Sequence, residues 1–177
     1  MTSFQDRMIR AAKLDVNLYE EVEADKEATR QAMAVVVLSS VAAGVGTITT
    51  GGFGAILIGT IASLVGWFVW AYLTYLIGTK LLPEPQTSAD VGELLRTIGF
   101  ASSPGLIRVL GIIPTLGGLV FLISSIWMLV AMVIAVRQAL DYRSTARAVG
   151  VCMIGWVVQF VILALLFSMM GGFGRPV

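Results

Sequence analysis

The sequence predicts an all-α protein: a polytopic transmembrane helical bundle of about five spans, preceded by a cytoplasmic amphipathic helix. Its composition is the first reason, because 57% of the 177 residues are apolar and only 13% are charged, whereas an ordinary soluble domain carries about a quarter charged residues. The second is that Asp, Glu, Lys and Arg are absent between Arg30 and Lys80, in Val109–Val136 and in Ala148–Gly174. Mostly apolar runs of this length are typical of transmembrane helices.

The same composition excludes several classes of function. The net charge of +1 comes without a basic stripe, so we expect no nucleic-acid partner. The chain has no histidine and a single cysteine, Cys152, which argues against a conventional zinc site and against Ser-His or Cys-His nucleophiles. We therefore expect no cofactor, no bound metal and no enzymatic activity. Because residues 1–30 are polar, we also expect no cleavable signal peptide.

Residues 1–31 are predicted to form a cytoplasmic amphipathic and acidic segment. Ser3–Leu14 reads as an amphipathic helix, with Phe4 and Met8 on its apolar face. Two placements stay open for this helix: in the lipid headgroup layer, or packed against another part of the protein. Asp15–Lys26 is acidic and favours a solvated face. The sharper alternative is a docking surface for a basic partner, formed by Glu20, Glu21 and Glu23.

Residues 32–170 are predicted to form the transmembrane domain, and 171–177 a short exterior tail. The first two spans carry small residues at four-residue spacing, a pattern that lets helix backbones approach closely in lipid. The short turn between them predicts an antiparallel hairpin packed through Gly44, Gly59, Ser63 and Gly66. The predicted spans are 32–48, 55–78, 97–113, 115–136 and 149–170.

The third span, 97–113, is short and broken by proline. If it crosses the membrane, the amino terminus and the loops Lys80–Arg96 and Arg137–Arg147 lie on one side, as the positive-inside rule favours. This arrangement places the amino terminus in the cytoplasm and the carboxyl terminus outside. A re-entrant form of 97–113 stays open.

Four residues of this span and one of the last are candidates for function. Arg108 is a charge near membrane depth, which favours a functional role, although it is close enough to the helix end to reach the interface. Pro104 frees backbone carbonyls that Ser102 and Ser103 can satisfy, as at many transport sites, but a simple kink explains it too. Gln159, in the last span, is interpreted as a side chain that hydrogen-bonds to a neighbouring helix.

The order of these features resembles the Yip family of multi-pass membrane proteins, first described as Ypt/Rab-interacting. Gly99-Phe100-Ala101-Ser102-Ser103-Pro104 is similar to the family's Gly-Tyr and proline in the third span, and two further stretches look like bacterial members, Leu18–Glu23 and Ser125–Leu140. The resemblance implies the five-span architecture and protein–protein interaction in the membrane. Eukaryotic members are associated with Rab GTPases through an Asp-Leu-Tyr-Gly-Pro type of motif. Since Glu20-Glu21 follow Tyr19 here, Rab binding is not implied.

The leading hypothesis is a non-enzymatic integral membrane scaffold, which organises partners through its glycine-rich helix faces and acidic segment. The alternative is a small oligomeric transporter or channel that uses Ser102–Arg108 and Gln159 around a polar path. Expected partners are membrane lipids and a membrane or cytoplasmic protein of unknown identity, with a homo-oligomer also open. The expected location is the bacterial plasma membrane.

Overall fold

The computed structural model describes residues 3–113 and 115–169, so the predicted exterior tail 171–177 lies outside the described residues. The described ranges contain helices and no strand, which confirms the predicted all-α class. The α-helices are α1 (Phe4–Ala12), α2 (Val16–Ala24), α3 (Ala28–Gly46), α4 (Ile48–Leu76), α5 (Val91–Phe100), α6 (Gly117–Ala139) and α7 (Thr145–Met169).

Four helices are long and apolar enough to cross a membrane: Ala28–Gly46, Gly51–Leu81, Gly117–Ala139 and Thr145–Ile162. They coincide with four of the predicted spans and confirm a multi-pass helical architecture. The second of them includes a π-helical turn, Ile77–Leu81, that continues α4.

The turn predicted between the first two spans is a kink inside α4. Its centre is Gly52, whose φ is 66°. This backbone conformation strains residues that carry a Cβ, and glycine adopts it freely.

The segment predicted as the third span has two parts. Helix α5 starts with a capping box, in which Asp90 accepts from the Glu93 N–H and Glu93 accepts from the Asp90 N–H. After a turn at Ala101 and Ser102, the chain continues as a 3₁₀ helix, Ser103–Ile112, with Pro104 in its first turn. Because proline lacks an N–H and its ring clashes with the preceding turn, it prevents α5 from continuing.

The end of α5 and this 3₁₀ helix run alongside α3 in the same direction. A Cβ built on Gly99 would lie 2.7 Å from the Cβ of Ala32, and Gly105 lies against Ser39. At the far end, Gly46 lies against the carbonyl of Arg108. The two segments therefore run side by side from Ala32 to Gly46, a length of about 21 Å along α3 at 1.5 Å per helical residue.

Helix α2 and two loops gather at the opposite end of the bundle. Glu20 of α2 accepts a hydrogen bond from Gln138 at the end of α6. The backbone N–H of Arg143 donates to Glu84 at 3.0 Å, and Arg147 donates to the carbonyl of Pro83 at 2.8 Å. The five-span prediction requires these three segments to share one side, and their contacts agree with that arrangement.

Helix α1 packs against the protein, which decides between the two placements left open by the sequence. Ala11 is fully buried in a cluster with Leu18, Phe100 and Ala131. The indole N–H of Trp127, in the middle of α6, donates to the carbonyl of Ala12 at 2.8 Å. Each buried contact removes apolar surface from water or lipid headgroups, and the Trp127 bond fixes the position of the helix end.

Candidate functional site

An elongated cavity of about 480 Å³ lies among the long helices and the 3₁₀ helix. Its volume is within the range of roughly 300–1,000 Å³ that is usual for ligand sites. Along α4 it extends from Ala55 to Trp70, a distance of about 22 Å at the helical rise. Its polar lining consists of Ser39, Ser40, Thr47, Ser63, Ser102, Arg108 and Gln159.

The cavity brings together residues that the sequence predicts separately. Ser102 and Arg108 reach it from the broken third segment, and Gln159 reaches it from α7. Their convergence depends on the parallel course of α3 and the 3₁₀ helix, which the sequence does not reveal. The four predicted packing residues also line this cavity: Gly44, Gly59, Ser63 and Gly66.

Those four residues have different roles in the structure. A Cβ on Gly44 would lie 2.8 Å from Cγ1 of Ile56, so α3 and α4 approach closely there. Ser63 donates to Ser40 across the same two helices at 3.2 Å. Gly59 and Gly66 are different, because a Cβ on either would meet no atom of the described residues within 4 Å. These two glycines face open space in the cavity, so the close helix contact expected from their spacing is not made.

Arg108 is held by neutral groups. Its Nε donates to Oγ of Ser124 at 2.8 Å, its Nη2 donates to Oγ of Ser125 at 3.1 Å, and its guanidinium lies 5.5 Å from the ring centre of Phe121. Within residues 3–113 and 115–169, Arg108 forms no ion pair with an Asp or Glu. Its half-buried positive charge is therefore uncompensated by the part of the chain that the structure describes.

The other half of the Ser-Ser-Pro break faces away from this cavity. Ser103 and Pro104 line a second groove of about 390 Å³ together with Trp127 and residues of α1. The Oγ of Ser103 is buried there, with no hydrogen-bond partner among the described residues. The candidate residues of the third segment thus divide between two surfaces of the 3₁₀ helix.

Three carboxylates of the acidic stretch, those of Asp15, Glu21 and Asp25, form ion pairs with Arg7 and Arg10, whereas Glu20 stays exposed. The two carboxylate oxygens of Glu21 pair with Arg7 at 3.0 Å and with Arg10 at 2.6 Å. Arg7 also pairs with Asp25 at 2.8 Å, and Arg10 with Asp15 at 2.7 Å. These arginines lower the pKa values of Asp25 and Asp15 below their ordinary values, chiefly through the direct hydrogen bonds.

Glu23 is in a different environment from its neighbours. Its carboxyl is half-buried, and Oε2 has no hydrogen-bond partner within the described ranges. Burial is the main cause that raises the pKa of Glu23 to about 8, and the charges of Glu93, Asp141 and Glu20 raise it further. At neutral pH this carboxyl is therefore mostly protonated.

Arg96 is a structural residue that the sequence reasoning missed. It is only 5% exposed, and its Nε donates to the carbonyls of Val22 and Glu23 at 2.9 and 3.0 Å. These bonds tie α5 to the end of α2. The available signal was the position of Arg96 between the apolar pair Leu94-Leu95 and Ile98 in the sequence.

Comparison with known proteins gives one result that covers most of these features. The Yip1 domain family matches residues 18–166 of the 177-residue chain. This range includes the broken third segment and Gln159, and it confirms the resemblance seen in the sequence. No curated protein and no solved structure matches the chain. With the match extending over most of a bundle that contains four apolar helices of spanning length, this multi-pass membrane protein belongs to the Yip1 domain family.

Proposed function

We propose that this Yip-family protein is a non-enzymatic membrane scaffold that presents its amino-terminal helices, α1 and α2, as a docking platform for a protein partner. The observation that carries the proposal is the number of polar contacts that fix these helices. Arg96 ties α2 to α5, Gln138 ties α2 to α6, and Trp127 ties α1 to α6. A tether to the membrane would need none of them.

Rigid placement favours binding, because a preorganised surface loses less conformational entropy when a partner docks. Arg7 and Arg10 contribute to this rigidity, because they form ion pairs with the carboxylates of Glu21 and Asp25 inside the fold. The docking surface is therefore formed by other residues of α1, of α2 and of the turns beside them. The exposed ones at the turns and helix ends include Lys13, Asn17, Lys26, Glu27 and Arg30.

The test is co-purification after brief crosslinking in native membranes. Glu27→Lys and Lys26→Glu change exposed charges, and we expect them to reduce partner recovery while the melting temperature of the purified protein stays unchanged. Arg143→Glu is the matched control, since Arg143 is also exposed but lies on the loop between α6 and α7. Equal recovery in all three variants, with stable protein throughout, contradicts docking on this platform.

A second candidate function, transport, is supported by the cavity that Ser102, Arg108 and Gln159 line. In that case Arg108→Leu abolishes flux into liposomes, while the protein still assembles. A purified homo-oligomer without other proteins is the assembly that favours this candidate. We also propose the bacterial plasma membrane as the location, with the amino terminus in the cytoplasm and the carboxyl terminus outside.

A further inference from the structure

Docking of a partner on α1 and α2 does not use the cavity of about 480 Å³. Arg108 brings a positive charge to its lining, and the described ranges provide no carboxylate for it. A charge withdrawn from water and held only by hydroxyls and an aromatic ring is costly. An anionic group bound from outside the chain would offset that cost and form charge-assisted hydrogen bonds with the guanidinium.

The two ends of the cavity differ in chemistry. Arg108 lies beside Gly46, the last residue of α3, and therefore at the end of the bundle opposite the loops after α4 and α6. The other end is formed by large apolar and aromatic side chains, namely those of Trp67, Trp70, Ile98, Met132 and Trp156. A free inorganic anion would occupy the first end alone, whereas a lipid matches both.

The wall of α4 is shaped for a long apolar group. Gly59 and Gly66 lie two helical turns apart and present no side chain, and the space in front of each is open to at least 4 Å from a built Cβ. Helix packing among the described residues does not account for these glycines, because no atom of a neighbouring described helix lies within 4 Å of a built Cβ. Ser63, which lies between them, is small and already donates to Ser40. This part of α4 therefore presents no bulky side chain to a cavity about 22 Å long, which leaves room for an acyl chain.

We propose that this cavity binds one anionic phospholipid, with its phosphate at Arg108 and one acyl chain along Gly59 and Gly66. Arg108 supplies charge and hydrogen bonds to the headgroup. Ser39, Ser40 and Ser63 line the middle of the cavity. Ser63 and Ser40 already hydrogen-bond to each other, so these two hydroxyls need no polar partner from the acyl chain. The bound lipid fills a space that would otherwise weaken the contact between α4 and the rest of the bundle.

The experiment measures lipid retention by native mass spectrometry of the full chain, exchanged into detergent with phosphatidylglycerol or phosphatidylcholine of identical acyl chains. We expect phosphatidylglycerol to be retained about tenfold more strongly than phosphatidylcholine. Both lipids carry the phosphate, but the choline ammonium of phosphatidylcholine offsets its charge and weakens the net attraction to Arg108. Arg108→Gln is expected to abolish the preference. Arg143→Gln is the control, because it removes an exposed arginine outside the cavity.

A second pair of variants keeps the test independent of any misfolding of Arg108→Gln. Gly66→Leu places a side chain in the cavity, where a built Cβ meets no atom of the described residues within 4 Å, and is expected to reduce retention of both lipids. Gly54→Leu is its control on the same helix, since Gly54 also faces open space but does not line the cavity. Equal retention of the two lipids by wild type, or unchanged retention in Gly66→Leu, would overturn the proposal.

Inorganic phosphate separates the two sources of the anion. We expect millimolar phosphate to leave phosphatidylglycerol bound, because it cannot replace the contacts of the acyl chain. Complete displacement of the lipid by phosphate, together with phosphate protection against thermal unfolding in Gly66→Leu, would assign Arg108 to a free anion and reject the lipid.

Discussion

At the residue scale, three charged side chains show how differently burial is managed in this protein. Arg108 has neutral partners only, Ser124, Ser125 and Phe121, among the described residues. Arg96 is buried and satisfied by backbone carbonyls. Glu23 is half-buried and has an unpartnered oxygen within the same part of the chain. The groups around each of these three side chains come from other segments of the chain. The identity of the residue alone therefore does not reveal its environment.

Arg96→Leu tests the connection between α2 and α5. The substitution leaves the carbonyls of Val22 and Glu23 without their donor, at a cost of about 1–3 kcal/mol for a buried unsatisfied group. We expect the amino-terminal helices to become accessible to protease while α3–α7 stay protected. The matched control is Arg143→Leu, at an exposed position, and equal protease resistance in the two variants would contradict the prediction.

The carboxyl of Glu23 predicts a pH dependence. Its pKa is raised from 4.5 to about 8 in the fold, so the folded state binds the proton more tightly than the unfolded state does. Stability from this group is therefore fully present below pH 4.5 and decreases as the pH rises toward 8. We expect the melting temperature of the part formed by α1 and α2 to fall over this interval, and Glu23→Gln to remove most of that decrease.

The carboxylates of Asp15 and Asp25, near Glu23 in the sequence, affect stability with the opposite pH dependence. The pKa values of Asp15 and Asp25 are lowered by Arg10 and Arg7, so their contribution is lost only in acid, below the ordinary range of Asp. The pH interval assigned to Glu23 is therefore separate from theirs. A melting temperature that rises between pH 5 and pH 8 in wild type would show that Glu23 is not protonated in the fold.

At the element scale, the third segment depends on small residues as much as on its proline. Pro104 ends α5, but Gly99 and Gly105 allow the segment to lie directly on α3, at Ala32 and Ser39. Without a Cβ at these positions, the two backbones come close enough for continuous packing in a membrane, where apolar burial alone does not hold helices together. The small residues of the predicted α3–α4 hairpin are only partly used in this way.

Gly99→Leu tests that packing. Its Cβ would lie 2.7 Å from the Cβ of Ala32 and 3.1 Å from the Ala32 carbonyl oxygen, and overpacking of this kind costs about 1–3 kcal/mol. We expect a lower melting temperature in detergent. Gly54→Leu places the same side chain in open space and is expected to have little effect, so similar losses in both variants would contradict the prediction.

At the scale of the whole molecule, topology follows from contacts between distant segments. Helix α2 and the loops after α4 and α6 meet at one end of the bundle through Gln138, Glu84 and Arg147. This meeting and the parallel course of α3 and the 3₁₀ helix support a crossing by the third segment. The 3₁₀ helix is nevertheless absent from the four helices that qualify as spans by length and composition.

Cysteine accessibility tests the crossing. In a Cys152→Ala background, single cysteines at Arg143 and at Gly118 lie near opposite ends of α6. Five crossings predict that a membrane-impermeant thiol reagent added to intact cells labels Gly118→Cys and spares Arg143→Cys. The reverse labelling would reject the proposed orientation, and a reporter fused after Val177 that proves cytoplasmic would contradict five crossings.

The sequence by itself determined the class of the protein, because long uncharged apolar runs are stable only as helices buried in lipid or protein. It also determined the break at Pro104, since a proline acts on its own local backbone. Tertiary structure decided which side chains meet. It paired Glu21 with Arg7 and Arg10, placed Arg108 beside Ser124, and turned Gly59 and Gly66 toward a cavity. These outcomes depend on the direction in which α3 and the 3₁₀ helix run together, and local residue patterns carry no information about that direction.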